Sequence, residues 1–212
     1  MNLRYRYDIT GLTDRAAEEC DGIEDSVAVI KNLIQKEINS GILSSRIALA
    51  GFSQGGAMSL YTGLQLPEDM KPAGILVMSG YLPGASKFKL TSGFEDILVR
   101  HLHGTADAVV MFDHAQKTKA HITGKGLLNY DVISFKDVGH TVSPDMMKSA
   151  VEFVKKILPD APELALKPKL PCDMTVKELK DAIRKAGLAS DALGFFEKRE
   201  FVDLLEKYNK TR

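Results

Sequence analysis

The chain has 212 residues, of which 44% are hydrophobic and 26% charged, and its formal net charge at pH 7 is zero. This is the composition of an ordinary globular protein, long enough for one domain and a small additional module. Without a net charge the chain has no general attraction to nucleic acid or anionic lipid, so neither is expected as a partner.

The first predicted element is a helix over residues 14–40. Its apolar side chains recur at helical spacing, at Ile23, Val27, Ile30, Ile34 and Ile38. Gly41 follows the last of them, and glycine is a common residue just past a helix end. A short loop then leads to an apolar run at residues 47–50, which predicts a strand.

The sequence Gly-Phe-Ser-Gln-Gly-Gly follows that strand at residues 51–56 and opens a predicted helix. A strand, a Gly-x-Ser-x-Gly turn and a helix together form the nucleophile elbow of an α/β-hydrolase. Small residues at Gly51 and Gly55 make the strained turn sterically possible, and the N–H groups of the helix stabilise negative charge near the Ser53 hydroxyl. Because the five-residue pattern alone also occurs by chance, the prediction of Ser53 as nucleophile depends on the flanking strand and helix.

Further strands and helices alternate along the rest of this region. The strands are predicted at residues 74–78, 97–102 and 130–135, and the helices at residues 111–121 and 144–158. Strands that are apolar throughout and alternate with helices indicate a parallel sheet covered on both faces. We therefore predict an α/β fold, a partial α/β-hydrolase, over residues 1–158.

A nucleophilic serine needs a base and a carboxylate that orients the base, and in this fold they follow in the order Ser, Asp or Glu, His. Asp107 lies shortly after the strand at residues 97–102, and His140 lies on a loop after the strand at residues 130–135. Functional groups of open α/β sheets lie just beyond the carboxyl ends of strands. We assign Asp107 as the orienting group and His140 as the general base.

Other carboxylates and histidines remain as alternatives. Solvated surface charges are the simpler interpretation of Asp96, Asp113 and Asp137. His101 is interpreted as a packed or edge residue of a strand, His103 as a turn-stabilising residue, and His114 and His121 as exposed on a helix. His140 differs because Gly139 precedes it and polar residues follow it. Neither cysteine has a nearby ligand partner, and no histidine pair has ligand spacing with an acidic third residue, so no metal site is expected.

Cysteine usage and hydropathy predict the compartment. Cys20 and Cys172 lie far apart and indicate no disulfide framework, which makes a reducing compartment the default. No apolar run approaches the roughly 18 residues of a membrane span, and residues 1–8 contain no apolar core of an export signal. We expect a cytoplasmic protein without a membrane span.

The last part of the chain is predicted to be a separate module. Residues 159–173 are rich in proline and lack periodicity, which indicates a semi-rigid linker. Residues 174–212 follow, where Thr175 and Glu178 form a capping-box pattern at the start of a helix. That helix carries Val176, Leu179 and Ile183 and ends near Gly187; a second helix carries Phe201, Leu204, Leu205 and Tyr208.

Three stretches of the sequence resemble the acyl-protein thioesterase / lysophospholipase branch of the phospholipase–carboxylesterase family. They are residues 51–61, the sequence His-Gly-Thr-Ala-Asp at residues 103–107, and the pair Gly139 and His140. Tyr-Leu-Pro at residues 81–83 is also similar, and the resemblance covers roughly residues 8–158. It implies hydrolysis of thioesters or esters of long acyl chains, including removal of palmitate from protein cysteines. Its substrates would be acylated proteins or lysophospholipids.

The resemblance also implies roles for individual residues. Ser53, Asp107 and His140 would be catalytic, and no metal or organic cofactor would be needed. The backbone N–H of Gln54 would be one oxyanion donor. Leu82 is a candidate for the lining of an acyl groove, with a place in the core as the alternative.

The resemblance is incomplete at the front of the chain. Members of the family carry an N-terminal segment with further strands and a His-Gly-type loop that donates a second oxyanion N–H. This chain begins near the end of that segment, and Arg6 stands where an aromatic residue is expected. Losing one oxyanion donor costs about 10²–10³ in turnover, and the strand at residues 47–50 would become an exposed edge able to pair with a second copy. The alternative function is therefore a catalytically impaired fragment or isoform that acts as an adaptor.

Residues 175–205 resemble a SAP-like helix–loop–helix. SAP modules often bind DNA, but the basic side chains here are interleaved with acidic ones. A charge-balanced surface gains little from counterion release, so we favour docking to a protein over binding to nucleic acid. The simpler alternative is a solvated helical hairpin that caps the hydrolase.

Overall fold

A computed structural model describes residue 20, residues 22–164 and residues 169–210. The chain divides into two compact units, Met1–Pro162 and Glu163–Arg212. The expectations about Arg6 and the N-terminal segment concern residues outside the described part. Within the described residues, no helix combines the length and the apolar character needed to cross a bilayer.

Unit 1 is built on a parallel sheet of four described strands. They are β1 (Ala48–Phe52), β2 (Gly74–Met78), β3 (Leu98–Gly104) and β4 (Asn129–Phe135), in the spatial order β1-β2-β3-β4. Every neighbouring pair is parallel, which confirms the predicted α/β class. Strand β1 forms one edge of the sheet that these strands make.

Four α-helices accompany the strands in the described part of unit 1. They are α1 (Ile23–Asn39), α2 (Gln54–Gly63), α3 (Phe112–Gly124) and α4 (Pro144–Ile157). The prediction that α1 starts near residue 14 is wrong. Gly22 precedes the helix with φ 81°, a left-handed conformation that separates it from Cys20, which is not helical. At the other end Gly41 has φ 99°, as the predicted stop requires.

The sheet is covered on both faces because alternate side chains of a strand point in opposite directions. Ile75 and Val77 of β2 belong to the core that includes buried residues of α1 and α2, whereas Leu76 lies in a second core with Phe153 of α4. Helix α3 contributes Ile122 to the first core. Because all four strands are parallel, their carboxyl ends lie at a single rim, where the candidate site lies.

The described residues of unit 2 form two α-helices, α5 (Val176–Lys185) and α6 (Lys198–Lys210). Their shared core consists of Leu179, Ile183, Phe201 and Leu205. The predicted capping box is confirmed, since the Thr175 hydroxyl accepts from the Glu178 N–H and the Glu178 carboxylate accepts from the Thr175 N–H. The unit is a helix–loop–helix, as predicted, and part of the predicted linker, residues 165–168, lies outside the described residues.

Candidate active site

The turn after β1 holds Ser53 in a rare conformation. Its φ is 55° and its ψ is −124°, and it is the residue just before α2. The Ser53 N–H donates to the Met78 carbonyl at 2.8 Å, and the Ser53 carbonyl accepts from the Ala57 N–H at 3.0 Å. Both backbone groups are therefore fixed by neighbouring elements, which is how a strained residue persists in a folded protein.

The glycines around Ser53 contribute unequally to this turn. A Cβ on Gly51 would overlap the backbone of Gly55, and a Cβ on Gly56 would lie 2.8 Å from the Gly51 carbonyl oxygen. A Cβ on Gly55 would meet nothing within 4 Å. The expectation that small residues at Gly51 and Gly55 make the turn possible therefore holds for Gly51 and is wrong for Gly55, whose backbone and not its side-chain position makes the close approach.

Ser53, His140 and Asp107 form a continuous hydrogen-bonded row. The His140 Nε2 atom lies 2.9 Å from the Ser53 Oγ atom, and the His140 Nδ1 atom lies 2.8 Å from the Asp107 Oδ2 atom. An ionised carboxylate only accepts hydrogen bonds, so the Nδ1 atom of neutral His140 carries the proton and the Nε2 atom faces the serine hydroxyl with its lone pair. This is the arrangement in which an imidazole can accept the serine proton.

A tight turn fixes the other oxygen of Asp107. The backbone N–H groups of Val109 and Val110 donate to the Asp107 Oδ1 atom at 2.9 and 2.8 Å. Burial alone raises the pKa of Asp107, but the hydrogen bonds from His140, Val110 and Val109 outweigh it, and the pKa lies below its usual value. Asp107 is therefore an ionised acceptor at neutral pH, with both of its oxygens occupied.

The loop that carries His140 packs directly on the loop that carries Asp107. The Val138 carbonyl accepts from the Ala106 N–H at 3.0 Å, and the Thr105 hydroxyl accepts from the Asp137 N–H at 3.0 Å. A Cβ on Gly104 would overlap the Val138 carbonyl, so only glycine allows this approach. The two loops thus set the distance between base and carboxylate.

Phe52 is a contributor to the site that sequence reasoning missed. Its ring centroid lies 4.8 Å from that of His140, with the two planes tilted by 42°. The position of Phe52 directly before Ser53 could have indicated that it lies at the site. The pattern Gly-x-Ser-x-Gly, however, specifies no residue type at this position. The Phe52 ring therefore packs against the imidazole of His140.

A cavity of about 510 Å³ opens beside Ser53. Helix α1 supplies one wall and the elbow with the start of α2 supplies the other; the lining residues are Ser26, Val29, Ile30, Phe52, Ser53, Gln54, Gly55 and Met58. Four of these residues, Val29, Ile30, Phe52 and Met58, bring apolar side chains to the cavity. The sequence did not predict that α1 forms part of this wall, because helical spacing of apolar residues indicates a helix without saying which of them face a cavity.

The remaining residues singled out from the sequence lie elsewhere. Leu82 is 4% exposed and packs in the core of α1 and α2, and its N–H donates to the Thr118 hydroxyl at 3.0 Å. His101 is fully buried in β3, as predicted for a packed residue. The interpretation of His103 as a turn residue is wrong, because it is a buried residue of β3. Asp96 is exposed and pairs with Lys71 at 2.6 Å.

Known proteins are similar to this region in both sequence and fold. The Phospholipase/Carboxylesterase family profile matches residues 2–158. Acyl-protein thioesterase 1 homolog 1 of Dictyostelium discoideum is 34% identical over 154 residues, which are 72% of this chain and 67% of that protein. Acyl-protein thioesterase 1 of Gibberella zeae is 36% identical over 148 residues, 67% of this chain and 61% of that protein.

The crystal structure of Zea mays acyl-protein thioesterase 2 superposes with a TM-score of 0.61 at 24% identity, covering 72% of this chain and 71% of that one. Together with the family match, this likeness identifies the fold of unit 1 as that of the α/β-hydrolases. The match ends at residue 158, so α5 and α6 lie outside it.

Proposed function

The chain belongs to the phospholipase/carboxylesterase family of hydrolases, and from this premise we propose that it is a serine hydrolase of acyl thioesters and esters. The observation that carries the proposal is the row of hydrogen bonds from Ser53 through His140 to Asp107, at 2.9 and 2.8 Å. Such a row activates a serine hydroxyl that is otherwise a weak nucleophile.

In the proposed reaction, the His140 Nε2 atom takes the proton of Ser53 as the Ser53 Oγ atom attacks the acyl carbonyl carbon. Asp107 accepts from the Nδ1–H and stabilises the imidazolium that forms. Collapse of the tetrahedral intermediate breaks the bond to sulfur or oxygen, and the imidazolium returns its proton to the leaving thiol or alcohol. An acyl-enzyme ester on Ser53 remains.

Water then resolves the acyl-enzyme. His140 removes a proton from water, the hydroxide attacks the ester carbonyl, and the Ser53 oxygen leaves with the proton that His140 holds. The products are a fatty acid and free Ser53. The backbone N–H of Gln54, which follows the nucleophile at the start of α2, is our proposed oxyanion donor, supported by the positive end of the helix dipole.

The cavity beside Ser53 supports a long acyl chain as the substrate group. The apolar side chains of Val29, Ile30 and Met58 line the cavity and favour contact with an apolar ligand group. The cavity volume of about 510 Å³ lies in the range of ligand pockets. Both curated relatives are acyl-protein thioesterases by name. We therefore propose S-acylated protein as the first substrate class and lysophospholipid as the second. From the cysteine usage of the sequence we also propose a cytoplasmic location.

The proposal is tested by turnover of acyl thioesters that differ only in chain length, with the purified full chain and its Ser53→Ala variant. We expect hydrolysis that is lost in Ser53→Ala and whose kcat/KM rises with chain length until the cavity is filled. Absence of turnover for every chain length in a folded protein contradicts the proposal.

The adaptor role of residues 174–212 remains the second candidate. The observation that favours it is the exposure of two large apolar side chains on unit 2, 80% for Leu193 and 93% for Phe196. A folded chain with no turnover, together with specific recovery of a protein by wild type but not by Phe196→Ser, would support this function instead. The SAP-like resemblance and self-association through β1 stay predictions.

A further inference from the structure

Three buried polar side chains that the proposed reaction does not use form a row behind the site. The Tyr130 hydroxyl lies 3.0 Å from the His101 Nδ1 atom, and the His101 Nε2 atom lies 3.1 Å from the His103 Nδ1 atom. The His103 Nε2 atom then lies 2.7 Å from the Val110 carbonyl oxygen. Tyr130 is 3% exposed and both histidines are 0% exposed. We call Tyr130, His101 and His103 the buried relay.

The direction of every hydrogen bond in the relay follows from its last member. A carbonyl oxygen only accepts, so the His103 Nε2 atom must carry the proton and its Nδ1 atom must accept. The His101 Nε2 atom must then donate, which leaves the His101 Nδ1 atom as an acceptor for the Tyr130 hydroxyl. No other set of neutral tautomers satisfies all three contacts.

Neutral histidines are what this environment favours. Burial, with a smaller effect of neighbouring His103, lowers the pKa of His101 from 6.5 to about 3, against the opposing effect of the Gly80 backbone. Burial also lowers the pKa of His103, against the opposing effects of the Val110 carbonyl and Asp107. Burial raises the pKa of the Tyr130 hydroxyl, which therefore keeps its proton. The relay is uncharged at neutral pH, and its tautomers are fixed by geometry.

The relay ends on the residue that holds the Asp107 carboxylate. The Val110 carbonyl accepts from His103, while the Val110 N–H donates to the Asp107 Oδ1 atom at 2.8 Å. The His103 Nε2 atom also lies 3.5 Å from the Asp107 Oδ2 atom, the oxygen that accepts from His140. Val110 therefore links the two groups: its carbonyl accepts a hydrogen bond from the relay, and its N–H donates one to the Asp107 carboxylate.

We propose that Tyr130, His101 and His103 are positioning residues, which fix the Asp107 turn through Val110 and so hold the carboxylate at the hydrogen-bonding distance that His140 needs. The expected effect on turnover rests on the proposed function, whereas the directions of the hydrogen bonds in the relay do not depend on that function. A buried polar network satisfied at every member specifies one arrangement of its surroundings, which apolar side chains of similar volume would not do.

Two substitutions of His103 separate positioning from packing. His103→Leu keeps an apolar group of similar reach but cannot donate to Val110, whereas the amide of His103→Gln can donate through its nitrogen and accept from His101 through its oxygen. We expect kcat of His103→Leu to fall about tenfold to a hundredfold with KM unchanged, the effect of one lost buried hydrogen bond, and His103→Gln to recover most of the loss. Equal losses in both variants, or a loss carried by KM, would overturn the proposal.

Tyr130→Phe tests the far end of the relay, and Tyr61→Phe is its matched control. Tyr61 is also a buried tyrosine, at 6% exposure, and it is not a member of the relay; the Gln65 amide donates to its backbone carbonyl at 2.8 Å. Removing the Tyr130 hydroxyl leaves the buried His101 Nδ1 lone pair without a donor, so the ring of His101 is no longer held at both of its nitrogens. We expect a severalfold loss of kcat in Tyr130→Phe and none in Tyr61→Phe.

Imidazole ¹H–¹⁵N NMR of the resting protein tests the relay without any turnover. At pH 7 we expect His101 and His103 to be protonated at Nε2 alone, and the Nδ1–H resonance of His140 to shift in Tyr130→Phe but not in Tyr61→Phe. An Nδ1-protonated His103, or a His140 resonance that is the same in wild type and Tyr130→Phe, overturns the proposal. If the expected NMR signals are present and wild type hydrolyses no ester, the proposed function fails and the relay stands.

Discussion

The His140 Nε2 atom lies 2.9 Å from the Ser53 Oγ atom, although 87 residues separate them in the chain. The parallel sheet makes this meeting possible, because β1 and β4 end at the same rim; Ser53 follows β1 directly, and His140 lies on the loop that follows β4. Ser53, Ser79 and Asp137 are the non-glycine residues with positive φ in the described part of the chain, at 55°, 49° and 57°. Each follows the end of a strand, so backbone strain is concentrated where the chemistry is proposed to occur.

Asp107→Asn tests the orienting carboxylate. The asparagine amide can donate to the His140 Nδ1 atom, which places the imidazole proton on Nε2 and removes the lone pair that faces Ser53. We expect kcat to fall about 10⁴-fold with little change in KM. Asp96→Asn is the control, since Asp96 is an exposed partner of Lys71, and a comparable loss there would contradict the assignment.

Gly51→Ala and Gly55→Ala test the packing of the elbow. A methyl group at Gly51 overlaps the backbone of Gly55, and relief of the overlap requires the turn to move, so we expect unfolding free energy to fall by about 1–3 kcal/mol. A methyl group at Gly55 has open space and helix-favouring character, so stability is expected to be equal or higher. Chemical denaturation measures both, and the reverse ranking would contradict the described turn.

Val29→Phe tests the cavity as the acyl site. Val29 of α1 lines the cavity at partial exposure, and a phenyl group there occupies space that a long chain needs. We expect kcat/KM for long acyl thioesters to fall about tenfold to a hundredfold, as for other groups that misfit a pocket, while short acyl thioesters are unaffected. Ala28→Phe, at an exposed position of the same helix, should leave the chain-length profile unchanged. A uniform loss across all chain lengths would contradict this site.

The buried histidines predict how stability depends on pH. The folded-state pKa of His101 is about 3, below its value of 6.5 in the unfolded chain, so between these values the unfolded chain binds more protons and stability falls as pH falls. Each such histidine contributes up to about 1.4 kcal/mol per pH unit in that window. The lowered pKa of Asp107 acts in a different window, below its usual 3.8. We expect His101→Gln to flatten the dependence of unfolding free energy on pH between 4.5 and 6, and an unchanged slope would contradict a neutral buried His101.

The fold was largely predictable because β1 and β2 are apolar throughout and the turns carry glycine and proline. The sequence predicts β2 with the same first and last residues as the structure. The positions of Asp107 and His140 on loops were predicted because each comes shortly after a predicted strand. His103 was misassigned because Gly104 after it resembles a turn residue, whereas that glycine is required by the approach of Val138. The contact between Tyr130 and His101 depends on the register of β3 on β4, which no local pattern in the chain encodes.

The central claim is that Ser53 is an activated nucleophile, and covalent trapping measures this directly. Wild type, Ser53→Ala and His140→Ala are incubated with a fluorophosphonate and analysed by intact mass and peptide mapping. We predict a single adduct on Ser53 in wild type, none in Ser53→Ala, and labelling of His140→Ala slowed by orders of magnitude. A folded wild-type protein that stays unlabelled, or an adduct that persists in Ser53→Ala, would contradict the account.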